Sequence, residues 1–134
     1  MAEYHSERIV RVVAAVIESG GRYLITQRRE SAVLPKLWEF PGGKVEAGEA
    51  DEEALRREIR ERLDAEVRVG QLLSFVRHPY ERYTVDLHLY QCELISGVRI
   101  CRVQDYRWIR SDQFDDYEFT PADEASMSKL LGEG

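Results

Sequence analysis

A pair of glycines followed by one amphipathic helix constrains the fold of this 134-residue chain more than any other feature. The stretch FPGGKVEAGEADEEALRREIRERLD runs from Phe40 to Asp64. From about Glu49 to Leu63 the acids come first and the arginines later, which suits the dipole of a helix. Apolar residues recur there at helical spacing and predict one thin buried stripe, formed by Ala54, Leu55, Ile59 and Leu63. Such a helix needs a partner surface, and the rest of the chain predicts a sheet.

Segments with strand character lie on both sides of this helix. RIVRVVAAVIES and RYLITQRR are rich in β-branched residues, and Gly20-Gly21 between them predicts a hairpin turn. Four further segments are predicted strands: LWEF, EVRVGQLLSFVRH, RYTVDLHLYQCEL and YRWIR. Thr120 and Pro121 are typical of a helix start, and this closing helix is predicted to run to Gly132. The order predicts an α/β protein.

Composition excludes several classes of function. The net charge of −6 disfavours binding to a nucleic acid polymer. The apolar run from Ile9 to Ile17 contains Arg11 and is too short to span a membrane, and no secretory leader precedes it. Cys92 and Cys101 have no zinc or redox spacing. One disulfide is possible, but two buried free thiols in a reducing compartment are favoured, so we expect a soluble cytoplasmic protein.

Glu58 and Glu61 are the strongest candidates for chemistry. They lie three residues apart on the predicted helix and therefore project from one face. Oxygen ligands of this kind suit Mg²⁺ or Mn²⁺, and the Gly42-Gly43 turn allows the backbone to approach and offer a carbonyl. Metal, carboxylates and an open position together support the attack of water on a phosphate chain.

An ordinary surface helix explains the same residues without any site. Acids precede bases by four residues in three pairs, namely Glu52/Arg56, Glu53/Arg57 and Glu58/Arg62. Each pair would contribute about 0.3–0.5 kcal/mol as a solvated ion pair. Helix chemistry alone favours this second interpretation.

A resemblance to a known family decides between the two. Gly43, Glu49 six residues later, and REIRE from Arg57 to Glu61 resemble the Nudix box, here about residues 43–65. The segments VVAAVIESGGRYLITQRR, LWEFPGGKVE and TPADE resemble the MutT-like branch, which includes CTP-type pyrophosphohydrolases. The resemblance implies a single Nudix domain over residues 1–134, an α/β/α sandwich around a mixed β-sheet with a loop–helix–loop box.

The resemblance also implies an activity and a catalytic set. Nudix proteins hydrolyse nucleoside diphosphates linked to another moiety, and MutT-like members cleave (deoxy)nucleoside triphosphates, including oxidised ones. By this likeness Glu58, Glu61 and the Gly42 carbonyl would hold Mg²⁺, with Mn²⁺ as a substitute. Glu49 and Arg57 would pair to brace the loop against the helix.

Four further residues are implied to contact the substrate. Arg28 would reach its phosphates, Phe40 and Asp123 would border the base pocket, and Arg82 would contact the ligand. Each also has a structural interpretation. The two arginines could be solvated surface residues, Phe40 could belong to the core, and Asp123 could stabilise the N-terminus of the last helix. The partner would be a small nucleotide whose base the sequence does not specify, and both monomer and homodimer are compatible with the family.

Two departures from the family pattern raise a second hypothesis. Arg62 lies where the box commonly has another glutamate, and Arg102 lies where many relatives carry an acidic residue. A unit charge about 5 Å from a divalent ion interacts by roughly 6–7 kcal/mol at an effective dielectric near 20, before screening. Other acids could replace the missing ones: Glu46, Glu53, Asp64 or Asp105. We favour an active hydrolase; the alternative is a weakened or inactive nucleotide-binding module whose arginines bind phosphate directly.

Overall fold

The structure, a computed structural model, describes residues 8–98 and 102–130. The strands are Ile9–Ser19 (β1), Arg22–Gln27 (β2), Trp38–Glu39 (β3), Gly42–Lys44 (β4), Val67–Pro79 (β5), Thr84–Leu94 (β6) and Asp105–Ile109 (β7). The α-helices are Asp51–Leu63 (α1) and Pro121–Leu130 (α2), and Ser111–Asp116 forms a 3₁₀ turn. Across these described ranges, no helix has the length and apolar character needed to cross a membrane.

The described strands form one mixed sheet with β1 at its centre. The order is β3-β2-β1-β6-β5, with β4 also paired to β1 and β7 to β2. The long β1–β6 pairing is parallel, from Ile9 opposite Thr84 to Ile17 opposite Cys92, and the other pairings are antiparallel. Strand β1 occupies the centre because its apolar run is covered on both faces.

The sheet has a hydrophobic core on each face. Alternate β1 residues Val13, Ala15 and Ile17 pack with the apolar stripe of α1, which is formed by Ala54, Leu55, Ile59 and Leu63. The intervening Ala14 and Val16 pack with Ala122 and Met127 of α2 and with an aromatic group of Phe40, Phe114 and Phe119. This is the predicted arrangement of helices on both sides of a mixed sheet, and the alternation follows from the two-residue period of a strand.

Two predicted boundaries are wrong. The helix starts at Asp51 rather than Glu49, because Gly48 has a φ of +80° and Ala50 is extended, so Glu49 belongs to the preceding loop. The glycine pair is a short strand rather than a turn: Gly43 pairs with Val13 in β1. Short-range signals for a turn and for a three-residue strand are the same, and only the partner strand distinguishes them.

Further predictions concern strand β6, the two cysteines and the end of the last helix. The alternation in β6 is confirmed, since Val85, Leu87 and Leu89 all face the α2 side. Cys92 is a buried free thiol, and burial raises its pKa to about 12. Cys101 and the predicted helix end at Gly132 lie outside the described residues.

Candidate active site between β4 and α1

Strand β4 approaches two surfaces so closely that only glycine fits. A Cβ on Gly42 would lie 2.0 Å from the carbonyl oxygen of Val13 in β1. A Cβ on Gly43 would lie 2.2 Å from the Cδ atom of Glu58. Neither glycine has a positive φ, so the requirement is for space rather than for an unusual backbone conformation. Gly42 therefore allows β4 to lie close to the backbone of β1, and Gly43 allows it to lie against the carboxylate of Glu58.

Glu58 is a buried carboxylate held by two arginines. Its exposure is 8%, and it lies on the face of α1 that meets β4. Arg62 Nε donates to Glu58 Oε1 at 2.7 Å, and Arg57 Nη1 donates to Oε2 at 3.1 Å. A buried charge is costly unless it is paired, so some cation is needed at this carboxylate. In this structure the guanidinium groups supply it.

Arg57 braces the loop before α1 against the helix. Its Nε and Nη2 donate to the two carboxylate oxygens of Glu49 at 2.7 and 3.0 Å, and Nη2 also donates to the carbonyl of Lys44 at 3.0 Å. Glu49 additionally accepts from the backbone N–H of Glu46 at 3.0 Å. These hydrogen bonds, the arginine pair above all, lower the pKa of Glu49 to about 2, and the same contacts raise the pKa of Arg57. The pair expected from the sequence is therefore formed.

Glu61 lies beside Glu58 on the same face of the helix. Its side chain is 56% exposed, and its Oε1 accepts from Arg57 Nη1 at 3.2 Å. The same nitrogen is 3.1 Å from Glu58 Oε2, so the two carboxylates converge on one point. Spacing of three residues on a helix produces this convergence. A cation could therefore contact both acids at once.

The donor set can be tested for its fit to a metal ion. Within residues 8–98 and 102–130, no three His, Cys, Asp or Glu side chains group closely enough to form a protein-only metal cage. Two convergent carboxylates beside glycine backbone suit a hard divalent cation that keeps several waters and takes further oxygens from a substrate. They do not suit zinc, which prefers nitrogen and sulfur ligands. The residues fit an ion such as Mg²⁺, provided that the guanidinium groups of Arg57 and Arg62 make room for it at Glu58.

The acids proposed as replacements have other contacts. Glu53 accepts a backbone hydrogen bond at the start of α1 at 2.9 Å, and Asp105 pairs with an arginine of β7 at 2.6 Å. Asp64 ends α1 with a left-handed backbone. Glu46 has its Oε2 4.0 Å from Arg57 Nη1. Glu46 thus shares the partner Arg57 with Glu58 and Glu61.

A cavity of about 360 Å³ opens next to these residues. Gly42, Gly43 and Arg62 line it on one side, so the cavity is continuous with the carboxylate site. Its remaining lining includes residues that the sequence predicted for the substrate, together with others, namely Arg28, Glu39, Phe40, Tyr80, Tyr83 and Asp123. The volume and mixed polarity are those of a small-molecule site.

Phe40 and Asp123 meet at the floor of this cavity. The ring of Phe40 is 2% exposed and packs edge-on to Phe114 at 6.2 Å between centroids. The backbone N–H of Phe40 donates to Asp123 Oδ1 at 3.0 Å, and the Thr120 hydroxyl donates to Oδ2 at 2.5 Å. Phe40 thus belongs to the core and lines the cavity at once. Asp123 is 6% exposed and joins the start of α2 to β3.

Arg28 and Glu39 form an ion pair at the same cavity. Arg28 Nη1 is 3.1 Å from Glu39 Oε1, and Arg28 Nε donates to the carbonyl of Val33 at 2.6 Å. Burial raises the pKa of Glu39 despite this arginine. Burial, followed by the charge of Glu39, also raises the pKa of Asp123 to about 7. The cavity therefore holds two carboxyl groups with increased proton affinity beside the guanidinium of Arg28.

Arg82 and Arg102, the two other arginines that the sequence analysis singled out, do not line the cavity. Arg82 is exposed in the turn between β5 and β6, and its neighbours Tyr80 and Tyr83, rather than Arg82, line the cavity. Arg102 is exposed, and its backbone N–H donates to the carbonyl of Arg62 at 2.7 Å. Arg102 is thus distant from α1 in sequence but lies next to its last turn in space, through this contact with Arg62.

Sequence reasoning missed several residues of the cavity lining, among them Glu39, Tyr80 and Tyr83. Glu39 is the acidic partner of Arg28, while Tyr80 and Tyr83 stack with ring centroids 5.3 Å apart at the opposite wall. The tyrosines flank the predicted β5–β6 turn, which was a usable signal. No local pattern, however, shows that this turn lies against β3 and α2.

Two convergent carboxylates beside glycine backbone, open to an arginine-lined cavity, define the class of site that metal-assisted hydrolases use on phosphate substrates. A model of the NUDIX domain matches residues 12–129, and the chain belongs to this family. Nudix hydrolases generally use a divalent metal ion. The chain is therefore an enzyme of the Nudix hydrolase class, in its MutT-like branch.

Individual relatives cover nearly the whole chain. It is 33% identical to the CTP pyrophosphohydrolase of Escherichia coli K12, over 87% of each chain. It is 30% identical to the 8-oxo-dGTP diphosphatase of Haemophilus influenzae, over 95% of each chain. Among solved structures, the E. coli ORF135 protein superposes with a TM-score of 0.83 at 30% identity, covering 98% of this chain and 94% of that one. The solved structure has the same fold over nearly the same length, so the observed topology is that of the family.

Proposed function

We propose that this protein hydrolyses a (deoxy)nucleoside triphosphate, or a related nucleoside diphosphate derivative, to a nucleoside monophosphate and pyrophosphate. The observation that carries the proposal is the convergence of Glu58 and Glu61 on one point, with Glu58 against Gly43, which lines the cavity. Relatives are named for CTP and for 8-oxo-dGTP, so both normal and oxidised nucleotides are candidate substrates.

In this proposal Glu58, Glu61 and the carbonyl of Gly42 hold Mg²⁺, and Mn²⁺ can substitute. When bound, such an ion activates water and offsets negative charge on the phosphate oxygens. Glu49 and Arg57 keep the loop in place. Of the two candidate bases, Glu58 is preferred over Glu49, because the hydrogen bonds from Arg57 and Glu46 lower the pKa of Glu49 to about 2 and leave it a weak base.

The cavity would hold the nucleoside part of the substrate. Phe40 supplies an apolar floor, and Asp123 can donate or accept a hydrogen bond according to its protonation state. Arg28 would contact phosphate by leaving Glu39, and Arg82 would reach the substrate from the β5–β6 turn. The sequence-based predictions of one domain over residues 1–134, a cytoplasmic location, no nucleic acid polymer as partner, and a monomer or homodimer remain part of this proposal.

The alternative of a binding module without hydrolysis is not favoured. Arg62 does neutralise Glu58 in the structure, which is the observation behind that alternative. The relatives, however, are named as pyrophosphohydrolase, diphosphatase and triphosphatase enzymes. Metal-free tight binding of nucleotide without turnover would be needed to restore it.

The test is a nucleotide panel assayed with Mg²⁺ and with Mn²⁺, measuring pyrophosphate and orthophosphate separately. We expect pyrophosphate release from at least one nucleoside triphosphate, and its loss in Glu58→Gln. Glu52→Gln is the matched control, because Glu52 is 61% exposed on the same helix and pairs only loosely with Arg56, at 3.6 Å. If folded wild-type protein releases pyrophosphate from none of the nucleotides, the proposed activity is wrong.

A further inference from the structure

Arg62 connects the carboxylate site with the cavity. It lies in the last turn of α1, with Nε 2.7 Å from Glu58 Oε1, and it also lines the cavity next to Gly42 and Gly43. Its side chain is 38% exposed, so it has room to move toward the cavity. Its backbone is fixed by the hydrogen bond from Arg102. One side chain can therefore reach both the buried carboxylate and a ligand in the cavity.

This contact differs from the other arginine pairs of the same helix. Arg56 lies 3.6 Å from Glu52, with about half of each side chain exposed, as expected for a weak surface pair. Arg62 instead donates at 2.7 Å to a carboxylate whose side chain is 10% exposed. A short contact to a buried acid is stronger and more selective than a solvated pair. Arg62 therefore has a specific effect on Glu58 that Arg56 cannot have on Glu52.

A divalent ion and the Arg62 guanidinium compete for the same carboxylate. The ion proposed above would contact Glu58, whose Oε1 accepts from Arg62 Nε and whose Oε2, on the side that converges with Glu61, accepts from Arg57 Nη1. Two cations at this distance repel each other, so binding of the ion displaces the guanidinium. The displaced group keeps its charge, because arginine is not deprotonated in proteins. It then needs another anion within reach of its side chain.

We propose that Arg62 exchanges Glu58 for the phosphate chain of the substrate, and so makes metal binding and nucleotide binding mutually dependent. The proposal rests on the hydrolase function proposed above. Guanidinium groups bind phosphate oxygens in a planar two-point geometry, and the cavity that Arg62 lines would contain those oxygens. Metal alone binds weakly because Arg62 must leave Glu58 without a new partner. Metal with a phosphate ligand binds tightly because Arg62 gains one, and the coupling is reciprocal.

Calorimetry with three ligands tests this proposal: Mn²⁺ alone, pyrophosphate alone in EDTA, and Mn²⁺ with pyrophosphate. Wild type is compared with Arg62→Gln, Arg62→Lys and the control Arg56→Gln, each checked by thermal melting. In Arg62→Gln we expect Mn²⁺ alone to bind about tenfold more tightly, since the competing cation is gone. The gain in affinity that pyrophosphate confers on Mn²⁺ should fall by about tenfold. Arg62→Lys should lie between, and Arg56→Gln should match wild type.

The possible outcomes separate this inference from the function it rests on. If Mn²⁺ binds wild type and Arg62→Gln equally, Arg62 does not compete for Glu58 and the inference is wrong while the metal site stands. If Arg62→Gln gains Mn²⁺ affinity but keeps the full effect of pyrophosphate, transfer to phosphate is excluded. If Mn²⁺ binds neither folded protein, whether pyrophosphate is absent or present, the metal site and the proposed hydrolase function fail together.

Discussion

Alanine at Gly42 and alanine at Gly43 should damage the protein in different ways, although the two positions are adjacent. At Gly42 the new Cβ would lie 2.0 Å from the Val13 carbonyl oxygen and 2.7 Å from the Ala14 Cα. Both atoms belong to the backbone of the central strand and cannot rotate away. Overpacking typically costs about 1–3 kcal/mol, and a backbone obstacle places Gly42→Ala at the upper end. At roughly 3–5 °C per kcal/mol for a domain of this size, the melting temperature should fall by roughly 10–15 °C.

At Gly43 the obstacle is the end of a side chain. The new Cβ would lie 2.2 Å from Glu58 Cδ and 2.4 Å from its Oε1. Glu58 can change rotamer, so we expect a loss of only about 1 kcal/mol, or roughly 3–5 °C. The rotated carboxylate, however, no longer lies beside Glu61. We therefore expect Mn²⁺ affinity to fall at least about tenfold, equivalent to about 1.4 kcal/mol.

Thermal melting and Mn²⁺ calorimetry on the same samples separate the two effects. Gly97→Ala is the matched control, because an added Cβ there meets no atom within 4 Å and the residue has no positive φ. It should melt at or slightly above the wild-type temperature. The reasoning is refuted if Gly42→Ala melts like Gly97→Ala. It is equally refuted if Gly43→Ala binds Mn²⁺ as tightly as wild type.

Two further predictions concern the cavity and the loop. The pKa of Asp123 is raised to about 7 from an ordinary value of 3.8, so the folded state binds the extra proton and stability should fall as pH rises from about 4 to 7. Asp123→Asn can keep both hydrogen bonds to this side chain but cannot take up the proton. Between pH 5 and pH 8, the free energy of unfolding of Asp123→Asn, measured in urea, should therefore decrease less than that of wild type. Equal decreases would contradict the raised pKa of Asp123. Arg57→Lys loses the planar two-nitrogen contact that Arg57 makes with Glu49, so hydrogen exchange in the loop at 45–49 should become faster and nucleotide hydrolysis slower. Unchanged exchange at 45–49 would show that Arg57 does not brace this loop.

The part of this site that could be predicted is the part encoded by local spacing. Glu58 and Glu61 share a face because a helix repeats every 3.6 residues, and the apolar stripe that orients the helix is equally local. Alternation in β6 is of the same kind. Glu49 and Arg57 are eight residues apart, and their pairing followed from the family resemblance.

The remaining features depend on contacts between distant segments. Gly42–Lys44 forms a strand only because it pairs with β1. A segment of three residues is too short for its own sequence to predict that pairing. The high pKa of Asp123 depends on Glu39, which is 84 positions away in sequence. Whether Arg62 points to solvent, to Glu58 or to a ligand depends on the burial of Glu58 by β4, which no helical pattern contains. For these reasons the sequence identifies the acids of the site, but it does not predict their pKa shifts or their ion-pair partners.

The crowding of charge on α1 has a physical explanation in this geometry. A carboxylate pressed against glycine backbone and nearly removed from water must have a cation beside it at all times. With an acid at position 62 as well, only Arg57 of these two arginines would remain to offset the negative charge of Glu58 in the metal-free protein. With Arg57 and Arg62 in contact, Glu58 is neutralised before any ion arrives. A basic residue at position 62 therefore stabilises the metal-free fold and lowers the affinity for metal alone. When substrate is present, its phosphate would accept the displaced guanidinium and restore the affinity for metal.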